Sequence, residues 1–151
     1  MSYVSAYFSP ARGADDVVIG FIDGCTTVLD IAIYSLTHDR IAEAIVRAAA
    51  RGVVVRVLMD KTQAGGRYSD DEKLVVGGVD VRLDHTTGSM HNKFLIGDGR
   101  TGGRAVLTGS YNLTVNATER NAENFVVVRL QYVAAAYQAE FERLWEQNKP
   151  E

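Results

Sequence analysis

The chain has one cysteine, Cys25, among its 151 residues. A single thiol cannot close an intrachain disulfide or build a cysteine zinc cluster, and its apolar surroundings mark Cys25 as a small core residue. No stretch approaches the roughly 18 apolar residues that a membrane-spanning helix needs. The opening segment, Met1 to Pro10, has neither a basic region nor a sustained apolar run, so no secretory leader is visible. A cytoplasmic protein is the default expectation, or a periplasmic or secreted one if a leader has been removed. Excess positive charge is missing too, since the formal net charge is −3. Binding to nucleic acid would need a local basic surface, because each neutralised phosphate takes its own lysine or arginine.

What is present fits one soluble domain spanning residues 1–151, long enough to bury about two thirds of its unfolded surface. Val4 to Phe8 reads as a strand ended by Pro10 and Gly13. Asp15 to Asp23 reads as a helix with acidic residues in its first turn, where the helix dipole favours them. Thr27 to Tyr34 is the next strand. Asp39 is placed to cap a helix whose apolar residues Ile41, Ala44, Ile45 and Ala48 recur at helical spacing. Gly52 stops that helix, and the nearly continuous apolar run from Val53 to Met59 suits a buried parallel strand. This strand-helix-strand order is a βαβ unit. Further on come a short helix (Ser69 to Val76, closed by Gly77 and Gly78) and a strand (Val79 to Leu83). A strand pair follows, Lys93 to Ile96 and Ala105 to Leu107, joined by a glycine-rich turn from Gly97 to Gly103. Another strand covers Glu123 to Leu130. A final amphipathic helix starts near Gln131 and turns Val133, Tyr137, Phe141 and Leu144 inward. The expected architecture is α/β: a mixed, mostly parallel central sheet with helices on both faces.

The chemistry concentrates in His91-Asn92-Lys93-Phe94-Leu95-Ile96-Gly97-Asp98, with Gly109-Ser110-Tyr111-Asn112 and Glu123 close behind. Residues two apart on a strand share a face, so His91 and Lys93 can present an imidazole and an ammonium to one site. Phe94 and Ile96 would then face the core on the opposite side. Lys93 is a point charge suited to a phosphate oxygen. Ser110 and Asn112 can donate hydrogen bonds where the next strand ends, and Gly109 allows close backbone approach. No serine or cysteine has a histidine partner at a recognisable spacing, whereas histidine can itself form a covalent intermediate. A nucleophilic imidazole must hold its proton on the far nitrogen, which a carboxylate can orient, and Glu123 is the candidate. Lys93 and Asn112 would stabilise charge on the phosphoryl oxygens. Such a set suits cleavage of a phosphodiester, and each group occurs only once.

With these residues the chain resembles the phospholipase D superfamily, whose His-x-Lys-x4-Asp signature is matched by His91, Lys93 and Asp98. The likeness extends to Tyr7-Phe8-Ser9-Pro10, to Ile33-Tyr34-Ser35-Leu36-Thr37 and to Arg51-Gly52-Val53 with Val55-Arg56-Val57. It continues through Gly109-Ser110-x-Asn112 and Ala122-Glu123-Asn124. Length and single motif are most similar to the small bacterial endonuclease branch and its cardiolipin-hydrolase-like relatives. The resemblance implies the phospholipase D-like fold and attack by one histidine on phosphorus to form a phosphohistidine. A second histidine then protonates the leaving oxygen, and no metal or other cofactor takes part. With one motif per chain, the second histidine implies a homodimer joined through the active-site face, two His91 side chains meeting across the two-fold axis. Asp98 would hold the site rather than attack, and Ser110 would bind near the histidine or the phosphate.

The other candidates have plainer readings. His38 beside a helix start and Tyr111 within the motif loop suit structural roles, and His85 suits the surface. Trp145 suits the core or an interface edge. Lys61, Arg67, Arg104 and Arg120 are the cations left to line a substrate groove, and the sequence does not choose among them. Nucleic acid is the leading substrate class. A phospholipase acting on cardiolipin or phosphatidyl lipids is the alternative, although no basic amphipathic helix supports membrane access and no stable membrane association is expected. A non-catalytic nucleic-acid-binding module is the third reading.

Overall fold

Val28–Ile33 is buried at five of its six positions, the pattern of a strand covered on both faces. In the computed structural model, which describes residues 3–67, 69–98 and 103–150, this strand is β2 and lies inside a seven-stranded sheet. Before it come β1 (Val4–Phe8) and helix α1 (Ala14–Asp23). After it come α2 (Asp39–Ala50), β3 (Val54–Asp60), a single turn α3 (Lys61–Ala64), α4 (Asp71–Val76) and β4 (Asp80–Asp84). The second half holds β5 (Lys93–Gly97), β6 (Ala105–Gly109), α5 (Val115–Glu119), β7 (Asn124–Val128) and α6 (Gln131–Gln147). The short turns α3 and α5 have no counterpart in the sequence reading. Of the glycine-rich turn expected from Gly97 to Gly103, residues 99–102 lie outside the described residues.

The strand order is β1-β7-β6-β5-β2-β3-β4. The sheet is mixed, as expected, but its balance is reversed. Only β2–β3 and β3–β4 pair in parallel, while β2–β5, β5–β6, β6–β7 and β1–β7 are antiparallel. The physical reason lies in the connections. A parallel neighbour needs a long crossover, which α2 supplies between β2 and β3 and the α3–α4 segment between β3 and β4. Beyond β4 no helix intervenes before β5, so the chain doubles back against β2. A second, smaller correction concerns α2: its cap position is His38, with no side-chain cap bond, and Asp39 is its first helical residue.

Two apolar layers cover the sheet. On one face α1, α2 and α4 bury Val18, Ile22, Ile41, Ile45 and Leu74 against Ile31, Ile33, Val57 and Leu95. On the other, α6 packs Phe141, Leu144 and Trp145 against Phe94, Ile96 and Val106. Phe94 and Ile96 thus point away from the Leu95 side, as the alternation predicts. Tyr137 and Val133 of α6 are half-buried against the same cluster. An ionic clasp fixes α6 in place. Arg56 of β3 makes two bonds to Asp30 of β2, at 2.8 and 2.9 Å, and reaches Glu142 of α6 at 2.5 Å. Its guanidinium also lies 5.0 Å from the Phe141 ring centre. The bonds to Asp30 hold Arg56 above its ordinary pKa against the opposing effect of burial, so it stays charged.

Candidate active site

Register alone gathers the candidate residues at one end of the sheet. Because β5 runs antiparallel to β2, its first residue, Lys93, pairs with Ile33 at the end of β2. Gly109 ends β6 opposite Phe125, and Phe8 ends β1 opposite Asn124. The loops at this end therefore carry His91, Tyr34, Ser110, Asn112, Glu123 and Ser9. Gly109 is required here by space: a Cβ would stand 2.1 Å from the Asn124 carbonyl oxygen and 2.6 Å from the Phe125 Cα.

His91 is exposed just ahead of β5, and its ring centre lies 4.5 Å from that of Tyr34. The residues on either side of it are pinned. The Met90 N–H donates to Asp60 at 3.0 Å, and the Asn92 carbonyl accepts the Tyr34 N–H at 3.0 Å. Tyr34 is steadied in turn by Gln63, whose amide donates to its hydroxyl at 3.1 Å. Lys93 Nζ donates to His91 Nδ1 at 2.9 Å and to the His91 carbonyl at 2.8 Å. An ammonium can only donate, so in this arrangement Nδ1 carries the lone pair and Nε2 the proton. Burial lowers the Lys93 pKa, and the charge of Glu123 opposes that shift.

Asn112 is set by a backbone group. The Ser35 N–H donates to its Oδ1 at 3.1 Å, so the amide N–H groups of Asn112 remain to donate elsewhere. Ser110 closes a two-bond clamp between β6 and β7: its N–H donates to the Asn124 carbonyl at 2.9 Å, and its hydroxyl accepts the Asn124 N–H at 3.1 Å. Glu123 is tied to β1 through Ser9. The Ser9 N–H donates to the Glu123 carbonyl at 3.0 Å, and the Glu123 N–H donates to the Ser9 hydroxyl at 3.2 Å. Its carboxylate accepts from the Asn121 amide at 3.3 Å. Glu123 is therefore placed beside the site without bonding the His91 ring, whose Nδ1 is occupied by Lys93. The order of the strands explains this, since β6 stands between β5 and β7 and separates their ends by about 10 Å.

Asp98 is the one signature residue held apart from the others. It follows β5 at the far end, about 17 Å of strand from Lys93, and accepts from the Thr26 N–H at 2.9 Å and the Thr26 hydroxyl at 2.5 Å. Burial would raise its pKa, but these hydrogen bonds outweigh it and hold the carboxyl below its ordinary value. Asp98 acts by fastening β5 to the loop before β2. His38 is buried, with Nε2 at 3.1 Å from Asp15, and Tyr111 is buried with its hydroxyl on Thr118 and its ring on Phe125. Burial pushes the Tyr111 pKa up to about 12. Both residues are structural, as the sequence suggests.

Two positioning residues escape the sequence reading. Asp60 caps α3 by accepting from Thr62 and Gln63 and also holds the Met90 N–H. Tyr34 backs the His91 ring. The Asp60-x-Thr62 turn signal was available for the first, whereas nothing in the local sequence points Tyr34 at a histidine 57 positions away. Among the described residues, no three His, Cys, Asp or Glu side chains stand together as a metal site, and no helix is long and apolar enough to cross a membrane.

A family model described as "Cardiolipin synthase, PLD-like domain" matches residues 18–145. The chain belongs to the phospholipase D superfamily. Among solved members, it is similar to Nuc from Salmonella typhimurium, with a TM-score of 0.89 and 30% identity, covering 97% of this chain and 95% of that one. NucT from Helicobacter pylori follows at a TM-score of 0.84 and 26% identity, with 95% of each chain covered. A mitochondrial cardiolipin hydrolase from Chlamydomonas reinhardtii is 35% identical over 131 residues. That match covers 87% of this chain but spans only 57% of the longer relative. The superfamily fold expected from the signature is thus the fold observed.

Proposed function

We propose that this phospholipase D superfamily chain is a metal-independent phosphodiesterase, an endonuclease cleaving DNA or RNA through a phosphohistidine. The observation that carries the reading is the Lys93–His91 pair at the end of the sheet that also carries Asn112. An arriving phosphate competes for Lys93 and draws its ammonium off His91 Nδ1. That nitrogen is then free to take the proton, with the Glu123 carboxylate as the candidate to orient it there, and Nε2 becomes the nucleophile. As the Nε2–P bond forms, the bond from phosphorus to the leaving oxygen breaks. The leaving oxygen takes a proton from the His91 of a second copy, and water, activated by that same histidine, then displaces the first. Lys93 and Asn112 stabilise the phosphoryl oxygens throughout, with Ser110 positioning the β6–β7 end. Asp98 contributes by holding β5.

One signature histidine, His91, among the three of this sequence makes the homodimer part of the proposed mechanism. Support for nucleic acid comes from the structural likeness to Nuc and NucT, at TM-scores of 0.89 and 0.84. Phospholipase action on cardiolipin or phosphatidyl lipids is the second reading, favoured by the names of the longer relatives. Purified protein is expected to cut plasmid and single-stranded DNA in excess EDTA and to yield an acid-labile phosphoprotein absent from His91→Ala. Cleavage abolished by EDTA would remove the metal-free mechanism, and turnover of cardiolipin vesicles without nucleic-acid cleavage would establish the second reading.

A further inference from the structure

A second concentration of positive charge lies on the same end of the sheet as His91. A cleft of about 390 Å³ opens beside β4 and the C-terminal end of α6, lined by Lys61, Arg82, His85 and Lys149. Register sets its level, because Ile33 pairs with Met59 and Met59 with Leu83. Lys61 and His85 thus follow the ends of β3 and β4 just as Tyr34 follows β2. Strand spacing of about 4.8 Å puts these positions two and three strands from β5, roughly 10–15 Å from the histidine.

Several cations outside this cleft are neutralised by carboxylates, whereas those of the cleft are held more loosely. Arg40, Arg47, Arg56, Lys73 and Arg143 each pair with a carboxylate elsewhere. Lys61 has no carboxylate partner among the described residues. Arg82 lies 4.1 Å from the Trp145 ring centre and donates Nη1 to the Trp145 carbonyl at 2.7 Å, with no carboxylate paired to it among the described residues. Lys149 meets Glu146 at 3.4 Å with both side chains mostly exposed, a weak pair that a phosphate can replace. The two nearest strand-end carboxylates are already occupied. Asp60 accepts from Thr62, Gln63 and Met90, and Asp84 from Thr86, Thr87 and Asn148. In a protein of net charge −3, such a cluster marks where a polyanion can lie.

We propose that this cleft binds a backbone phosphate of a nucleic-acid strand whose scissile bond sits at His91. The inference rests on the nuclease reading and names the direction in which the strand leaves the site. The separation corresponds to about three to four nucleotides of strand rise. Cardiolipin does not fit it, since one glycerol between two phosphates spans about 8 Å at full extension on ordinary bond lengths. The test is steady-state kinetics of wild type and Lys61→Gln/Lys149→Gln on a twelve-nucleotide single strand, on bis-p-nitrophenyl phosphate and on cardiolipin vesicles. For the oligonucleotide, KM is expected to rise about three- to tenfold and the slope of log kcat/KM against log salt to flatten by about 0.7 for each phosphate no longer neutralised. Turnover of the small diester, too short to reach the cleft, is expected to stay within about twofold. Unchanged KM and salt slope in a variant that still cuts the oligonucleotide would overturn the subsite alone, as would an equal loss on the small diester. Wild type that hydrolyses cardiolipin and no oligonucleotide would overturn the nuclease reading and the subsite with it.

Discussion

At the scale of single residues, the proposed chemistry rests on His91, Lys93 and Asn112, whose contributions are separable. Lys93→Ala and Asn112→Ala each remove one preorganised donor and are expected to lower kcat by about 10²–10³ while leaving the fold intact. Far-UV circular dichroism and a turnover assay together check this. The pH dependence has a definite sign. The Glu123 charge favours the ammonium form of Lys93 and so raises its pKa, against burial, which lowers it. Glu123→Gln removes the supporting charge, so Lys93 should lose its proton at lower pH. The alkaline limb of the kcat/KM profile should then move to lower pH than in wild type, and an unmoved limb would show that Glu123 does not act on the lysine. His91 and Lys93 were legible as a pair from strand alternation alone. Tyr34 and Asp60 were not, because each meets the His91 loop only through long-range folding.

At the scale of elements, the strands could be read almost to the residue, but their directions could not. A continuous apolar run reports that both faces of a strand are covered, and β5, β6 and β7 satisfy that as antiparallel neighbours just as β2 and β3 do in parallel. The short turns α3 and α5 carry too few residues for a periodic signal. Gly109 tests how strictly β6 and β7 must approach. Gly109→Ala is expected to destabilise the protein by about 1–3 kcal/mol, at the upper end because the clash is with backbone, and to reduce activity as Ser110 and Glu123 are displaced. Urea denaturation beside a turnover assay measures both effects.

At the scale of the whole molecule, quaternary structure is the decisive expectation. If each site needs two His91 side chains, mixing wild type with His91→Ala under exchange conditions should lower activity as the square of the wild-type fraction. A linear fall would mean that each chain works alone. Acid stability follows from three carboxylates that tie segments together: Asp60 the His91 loop, Asp84 the end of α6 and Asp98 the start of β2. Burial raises each pKa, yet hydrogen bonds hold all three below 3.8. The folded protein thus binds fewer protons than the unfolded chain near that value. Their contribution is complete above about pH 4 and is lost as pH falls through the lower folded values. Thermal melts should show Tm declining in that range, less steeply for Asp98→Asn.

The pairing of β1 with β7 bears on how the chain folds as it is made. Val4 lies against Val128, so β1 has no partner until β7 has been synthesised. The Ser9–Glu123 bonds that seat Glu123 form in the same late step. A nascent chain can assemble β2, β3 and their helices early, since their contacts are local. It cannot complete the end of the sheet that carries His91, Ser110 and Glu123 until β7 has joined β1 and β6.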